Sequence, residues 1–169
     1  MQTHSTLVPV EEYLNTSFDD GDREYVDGVI VERNLGEKAH SKLQRKLVGF
    51  FVAHEGTLQS YCFPAQRVQV KATRFRVPDV CVYIGAEPEE EVFRTPPFLV
   101  VEILSKDDRA SDLQERIDDY LAFGVDFVWV IDPRRHTGTV HTAGGSWEAR
   151  DGVLRTRGPN IELPLGELF

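Results

Sequence analysis

Two strand-length hydrophobic runs, 77–84 and 98–104, each carry a single acidic residue, and no other feature limits the fold of this chain as much. The stretch from Arg76 to Ser105 reads RVPDVCVYIG, then an acidic interruption bounded by prolines, then PPFLVVEILS. Asp79 stands near the start of the first run and Glu102 near the end of the second. The second run is apolar without alternation, the pattern of a central strand covered on both faces. A carboxylate in such a strand is costly unless it is paired, protonated or bound to a metal. Asp79, following Pro78, can simply cap a strand, and Glu102 can pair with a basic neighbour. Glu102 is the harder to explain away, because Leu99, Val100, Val101, Ile103 and Leu104 surround it. Two acids on strands joined by a short excursion can also share one cation, and hard cations such as Mg²⁺ prefer carboxylate oxygens.

The rest of the chain supplies a scaffold. Its 169 residues suit one domain spanning 1–169 with a proper core. Residues 9–14 read as a short helix entered at a proline. Asp27-Gly28 between two β-rich runs marks a hairpin over 24–33. Residues 37–54 form an amphipathic pattern, with Ala39, Leu43, Leu47, Phe50 and Phe51 on one stripe, His40 and His54 within it, and Gly56 as a stop. A strand is expected at 59–70, broken at Pro64, followed by a basic turn, KATRFR, that leads into 77–84. Ser111 and Gln114 fit a capping box for a helix over 111–123, ended by Gly124. Residues 126–131 form another buried strand, Asp132-Pro133 its exit turn, and 137–157 a β-meander that holds His136 and His141 at its edge and exterior. ELPLGELF closes the chain as a helical turn. The strand–helix–strand unit over 98–131 requires a right-handed parallel crossover. The expected class is therefore α/β or α+β, a mixed sheet flanked by helices, with an N-terminal hairpin and a C-terminal meander.

Composition narrows the function. A net charge of −9 excludes a general nucleic-acid coat protein, though not a local site where bound cations offset the acids. No apolar run reaches the roughly 20 residues of a membrane span. The first residues, MQTHSTLVPVEEYL, lack a basic-then-apolar leader. Cys62 and Cys81 lack metal-motif spacing and read as two reduced thiols, with a disulfide between them left open. These features lead to an expectation of a cytoplasmic protein.

Other groups stand near the acids by position. On the helical wheel Arg116 lies within one edge of the buried face defined by Leu113, Ile117, Tyr120 and Leu121. A guanidinium aimed at the sheet needs an anion, and Asp112, Glu102 and a bound phosphate are equal candidates. Glu24, at the hairpin entrance, reads as exposed when taken alone. His40 on its apolar stripe is more often a satisfied core histidine than a ligand. Lys38, Lys42, Arg45 and Lys46 form a basic helix face, ordinarily solvated. Joined by Arg67, Lys71, Arg74 and Arg76, it can instead form a groove that tracks phosphates.

The ordered blocks EYVDGVIVE, the helix with His40, VPDVCVY, FLVVEILS, DLQERIDDYLAFGV and FVWVIDP resemble the PD-(D/E)XK nuclease superfamily, with its restriction-endonuclease-like core. More narrowly they resemble a bacterial family catalogued as "putative restriction endonuclease", formerly a domain of unknown function. This resemblance runs from about residue 8 to 169. It implies an Mg²⁺-dependent DNA endonuclease, with Mn²⁺ able to substitute. Asp79, Glu102 and the backbone carbonyl of Ile103 would hold the metal, Glu24 would bind or orient it and its waters, and His40 would stand near. The superfamily places a lysine two residues after the glutamate, where this chain has Leu104. The family takes it from the following helix, at the position of Arg116. Arginine can support phosphate charge but cannot act as a general base near neutrality. Lys106, and less so Lys71, stand as substitutes. The expected enzyme is homodimeric. Two alternatives stay open: a catalytically weakened nuclease fold serving as a binding or assembly module, and a hydrolase of a small phosphate ester in a closed pocket.

Overall fold

The computed structural model describes residues 7–19, 22–34 and 36–169. The chain opens with Val10–Asn15 (α1), entered from Pro9, and a hairpin of Arg23–Val26 (β1) and Val29–Glu32 (β2). Asp27 and Gly28 both take positive φ, 49° and 93°, as the type I′ turn requires. A Cβ on Gly28 would also lie 2.9 Å from the Leu7 side chain. The next helix, Lys38–Leu58 (α2), overruns the expected stop at Gly56 and ends at Gln59 in the left-handed region. A helical glycine costs only about 1 kcal/mol, and Leu58 beyond it packs against the core. His54, expected within the buried stripe, is exposed and lies 2.7 Å from the Phe50 carbonyl.

The expected strand 59–70 divides between two sheets. Ser60–Pro64 (β3) ends at the proline, and Val68–Lys71 (β4) begins a different ladder. The stretch read as a basic turn contains a strand, Arg74–Arg76 (β5), which pairs with both β4 and β1. Val80–Ile84 (β6), Leu99–Ile103 (β7), the helix Ala110–Phe123 (α3) and Phe127–Asp132 (β8) follow. No side-chain cap opens α3: Ser111 bonds Asp112 and Gln114 bonds Asp118, so the capping box does not form. Gly124, at φ 110°, does end this helix. Thr137–Thr142 (β9) and Gly145–Glu148 (β10) form the first two arms of the expected meander. The third arm, Val153–Arg155 (β11), leaves it to pair with Glu162–Pro164 (β12). Gly138 on β9 makes room for this departure, since Leu154 of β11 packs where a Cβ would stand, at 3.0 Å. A 3₁₀ turn, Leu165–Glu167, ends the fold and buries Leu165, with Leu168 buried beside it.

The main sheet has six strands in the order β10-β9-β8-β7-β6-β3, and only β7 and β8 run parallel, joined by α3. A second sheet, β2-β1-β5-β4, packs Tyr25 and Phe75 against Tyr13 of α1. The main sheet is covered on both faces, which explains its unalternating runs. One face sets Val80, Val82, Leu99, Val101, Trp129 and Ile131 against Leu43, Leu47 and Phe51 of α2. The other sets Cys81, Val100, Val128 and Val130 against Ile117 and Tyr120 of α3. Cys62 packs with the first set and Cys81 with the second, so the two thiols lie on opposite faces and are free. Among the described residues no helix is long and apolar enough to cross a membrane.

Phe51 is fully buried between α2 and Trp129, with ring centroids 6.5 Å apart. Truncation to Ala is expected to lower the unfolding free energy by about 3–5 kcal/mol in urea titrations. A loss below about 1 kcal/mol would show that α2 does not seat on the sheet in this way.

Candidate active site

The β6–β7 ladder sets Val80 opposite Val101 and Cys81 opposite Val100. One further step of the same register puts Asp79 opposite Glu102, so the two acids are cross-strand neighbours at the sheet end. Both are 2% exposed. Each has one oxygen fixed by the fold and one turned to other groups. Asp79 Oδ2 accepts the Ile103 N–H at 2.7 Å, which extends the ladder by a side chain. Its Oδ1 meets Arg33 Nη2 at 2.6 Å and His40 Nε2 at 3.0 Å. Glu102 Oε1 accepts the Tyr120 hydroxyl at 2.7 Å, and Oε2 lies 3.7 Å from Arg116 Nη1.

The two helices serve the pair from opposite sides of the sheet. From α2, His40 reaches Asp79 Oδ1 and Gln44 Nε2 donates to the Asp79 carbonyl at 2.8 Å. From α3, Arg116 and Tyr120 address Glu102, four residues apart on one face of the helix. Arg116 takes Asp108 as its second anion, at 3.1 Å, in place of Asp112. Asp108 is in turn held by the Ser105 N–H at 2.7 Å and by Asn34 Nδ2 at 3.1 Å. The Arg116 Nε is buried without a hydrogen-bond partner. A cavity of about 190 Å³ opens here, lined by Arg33, His40, Gln44, Asp79, Ser105 and Arg116 among others.

Burial and charge drive the two acids apart. Burial pushes Glu102 up to about 7; Asp79 and Glu24 push the same way, and Arg116 and the Tyr120 hydrogen bond offset only part. Burial also acts on Asp79, but the His40 hydrogen bond, the Arg33 charge and the Ile103 N–H outweigh it and hold Asp79 below the usual carboxylate range. His40 is raised in return, chiefly by its bond to Asp79. The acids around Arg116, Glu102 first, outweigh its burial and raise it further, so it stays a cation.

Glu24 is buried at 4% exposure, contrary to the exposed position expected for it. Its Oε2 accepts from Arg76 at 2.9 Å and its Oε1 from the Val77 N–H at 3.1 Å. Arg76 continues to Asp119 of α3 at 2.7 Å, and Arg74 joins Asp27, Glu115 and Asp119. With Lys71 also 3.3 Å from Asp119, three members of the expected basic groove are neutralised by acids. Lys46 reaches the Glu167 and Phe169 carbonyls, and Arg67 lies over the Tyr13 ring. Lys38, Lys42 and Arg45 stay exposed on α2, across the main sheet from α3. The eight residues therefore do not form one groove: the strand arginines point to acids on α3 while the lysines ride on α2. Lys106 is 61% exposed and pairs with Glu37 at 2.9 Å, so it does not join the acids. Leu104, at the position where the superfamily has lysine, packs with the α3 face.

Arg33, Tyr120 and Asp108 also belong to the cluster, beyond the site groups that the sequence suggests. The spacing of Tyr120 from Arg116 could have revealed it. Arg33 and Asp108 come from irregular segments without periodicity. A larger cavity, about 1040 Å³, lies elsewhere, around Phe98, Trp147 and Arg155, and none of the candidates lines it.

The mixed sheet flanked by helices is a restriction-endonuclease-like nuclease fold. The chain belongs to the Uma2 family, described as "Putative restriction endonuclease", whose model matches residues 10–168. Among solved structures it is similar to a "putative nuclease belonging to DUF820" from Anabaena variabilis ATCC 29413, at TM-score 0.80 and 22% identity, covering 94% of this chain and 96% of that one. That likeness is one of fold. No curated protein matches the chain.

The acid pair makes stability depend on pH. Glu102 holds its proton up to about 7 in the folded protein, against an ordinary 4.5. The folded state binds more protons across that window, so stability falls as pH rises through it. His40 acts in the same sense: its raised value gives stability that is present below 6.5 and lost as pH rises through the folded value. Asp79 acts oppositely, and its contribution disappears only as pH falls below 3.8. With metals chelated, unfolding free energy is expected to fall as pH rises from about 4.5 to 7. Glu102→Gln should remove most of this slope, and an unchanged slope in that variant would contradict the assignment.

Proposed function

We propose that the chain is a Mg²⁺-dependent endonuclease that hydrolyses phosphodiester bonds in DNA, with Mn²⁺ able to replace Mg²⁺. The observation that carries this reading is the buried pair Asp79–Glu102, with one oxygen of each held by the fold and the other turned to a guanidinium. The donor set fits Mg²⁺, which takes one or two carboxylates and keeps its waters. It does not fit a closed structural zinc site, since no group of three or more His, Cys, Asp or Glu side chains arranged for a metal occurs among the described residues. A metal would also relieve Glu102, whose burial and acidic neighbours work against its charge. Asp79 Oδ1 and Glu102 Oε2 would hold it, with the Ile103 carbonyl as a further ligand. When bound, Mg²⁺ supplies a Lewis acid that activates water and neutralises phosphate charge.

The protein's own groups set the geometry. Tyr120 and the Ile103 N–H hold the acids in place, and His40 steers Asp79. Arg116 remains a cation, is anchored by Asp108, and lines the cavity. It would stabilise negative charge developing on the phosphate. Glu24 acts at one remove: it fixes Arg76, which ties the second sheet to α3. DNA would meet the exposed Lys38, Lys42 and Arg45 of α2, and cutting two strands would call for a homodimer.

A second reading, a binding module on a nuclease fold, draws on the loss of lysine at Leu104 and on the guanidiniums standing at both free acid oxygens. Supercoiled plasmid separates the two. The endonuclease nicks it with Mg²⁺ or Mn²⁺, loses this in Asp79→Ala and Glu102→Ala, and falls about 100-fold or more in Arg116→Ala. If folded protein binds DNA without cutting it, and Arg116→Lys raises activity from near zero, the module reading holds instead.

A further inference from the structure

We propose that Arg33 is the counter-ion a divalent cation must displace from Asp79, so that this arginine sets the affinity of the acid pair for metal. The inference rests on the reading of that pair as a cation site. Asp79 offers a single oxygen to the cavity, because the Ile103 N–H takes Oδ2. On Oδ1 stand His40 and the Arg33 guanidinium, the latter at 2.6 Å, the shorter of the two contacts. His40 can keep its bond when neutral, as the tautomer with its proton on Nε2, and the second lone pair of the oxygen stays open to another partner. Arg33 cannot shed its charge, and a cation arriving on the same oxygen meets that charge at close range, where little water intervenes.

The two arginines of the site differ in how they are held. Arg116 rises from a helix and has a second anion in Asp108. Arg33 follows β2 in an irregular segment, and among the described residues its guanidinium contacts only Asp79. Its neighbour Asn34 is bonded through its side chain to Ser105 Oγ at 2.9 Å and to Asp108 at 3.1 Å, which fastens the segment beside Arg33. A second cavity of about 440 Å³, walled by Arg33 and also by Glu24, Asp108 and Arg116, gives the displaced side chain a place to go. Burial works against the Arg33 charge, and the adjoining Asp79 carboxylate is the chief group that sustains it. Once released, the guanidinium remains beside the site as a donor suited to phosphate oxygens.

Calorimetric titration with Mn²⁺ alone, at one pH and ionic strength, tests the exchange on the wild-type chain and on Arg33→Met. The variant is expected to bind Mn²⁺ at least about tenfold more tightly, or to bind it where wild-type binding is undetectable. Equal or weaker binding by the variant overturns the exchange and leaves the metal site standing. Absence of binding in both proteins overturns the exchange together with the metal-site reading. Circular dichroism checks the fold. If Arg33→Met is misfolded, Arg33→Gln, which keeps a donor for Oδ1 but loses the charge, carries the same expectation and the same contrary results.

Discussion

Two carboxylates facing one another at the buried end of the β6–β7 ladder impose the conditions that the surrounding structure meets. Neither can be charged there without counter-groups, and both cannot be charged without several. The chain answers asymmetrically. Asp79 receives Arg33, His40 and a backbone N–H, and stays ionised. Glu102 receives a tyrosine hydroxyl and a more distant arginine, and holds its proton to about neutrality. The result is a pair with one permanent and one negotiable charge, a state that a divalent cation would shift to two.

The elements that supply these groups are themselves held by charge. Arg76, 3% exposed, joins Glu24 of the hairpin to Asp119 of α3, and Arg74 adds Asp27 and Glu115. Removing one partner of such a buried set strands the others and is far costlier than losing a surface pair. The network also orients α3, and with it Arg116 and Tyr120. Residues that look like DNA-contacting cations in the sequence thus serve the site from behind.

How much of this could be read from the residues differed with the kind of order involved. The β6, β7 and β8 runs, the hairpin turn and the two main helices carry strong periodicity or turn chemistry, so their existence and the sheet class were legible. So were the acid pair and Arg116, because a charge in an apolar run or on an apolar helix face stands out. Glu24 reads as exposed in the sequence because a four-residue strand gives little pattern, and its partner Arg76 lies 52 residues away. The basic groove failed for a similar reason: charge counting on Arg74 and Arg76 does not see the α3 acids that close over them. Arg33 left no periodic signal, since an irregular segment brings it to Asp79 across 46 residues. The departure of β11 from the meander depended on the space beside Gly138, which only packing reveals.

The central claim is that one divalent cation is held between Asp79 Oδ1 and Glu102 Oε2, the oxygens that the Ile103 N–H and the Tyr120 hydroxyl leave free. Anomalous diffraction from crystals soaked in Mn²⁺ addresses it directly. The account predicts a single peak about 2.1 Å from both Asp79 Oδ1 and Glu102 Oε2, with the Arg33 guanidinium moved off Asp79. Crystals with no peak at the pair, and Arg33 still bonded to Oδ1, would contradict it.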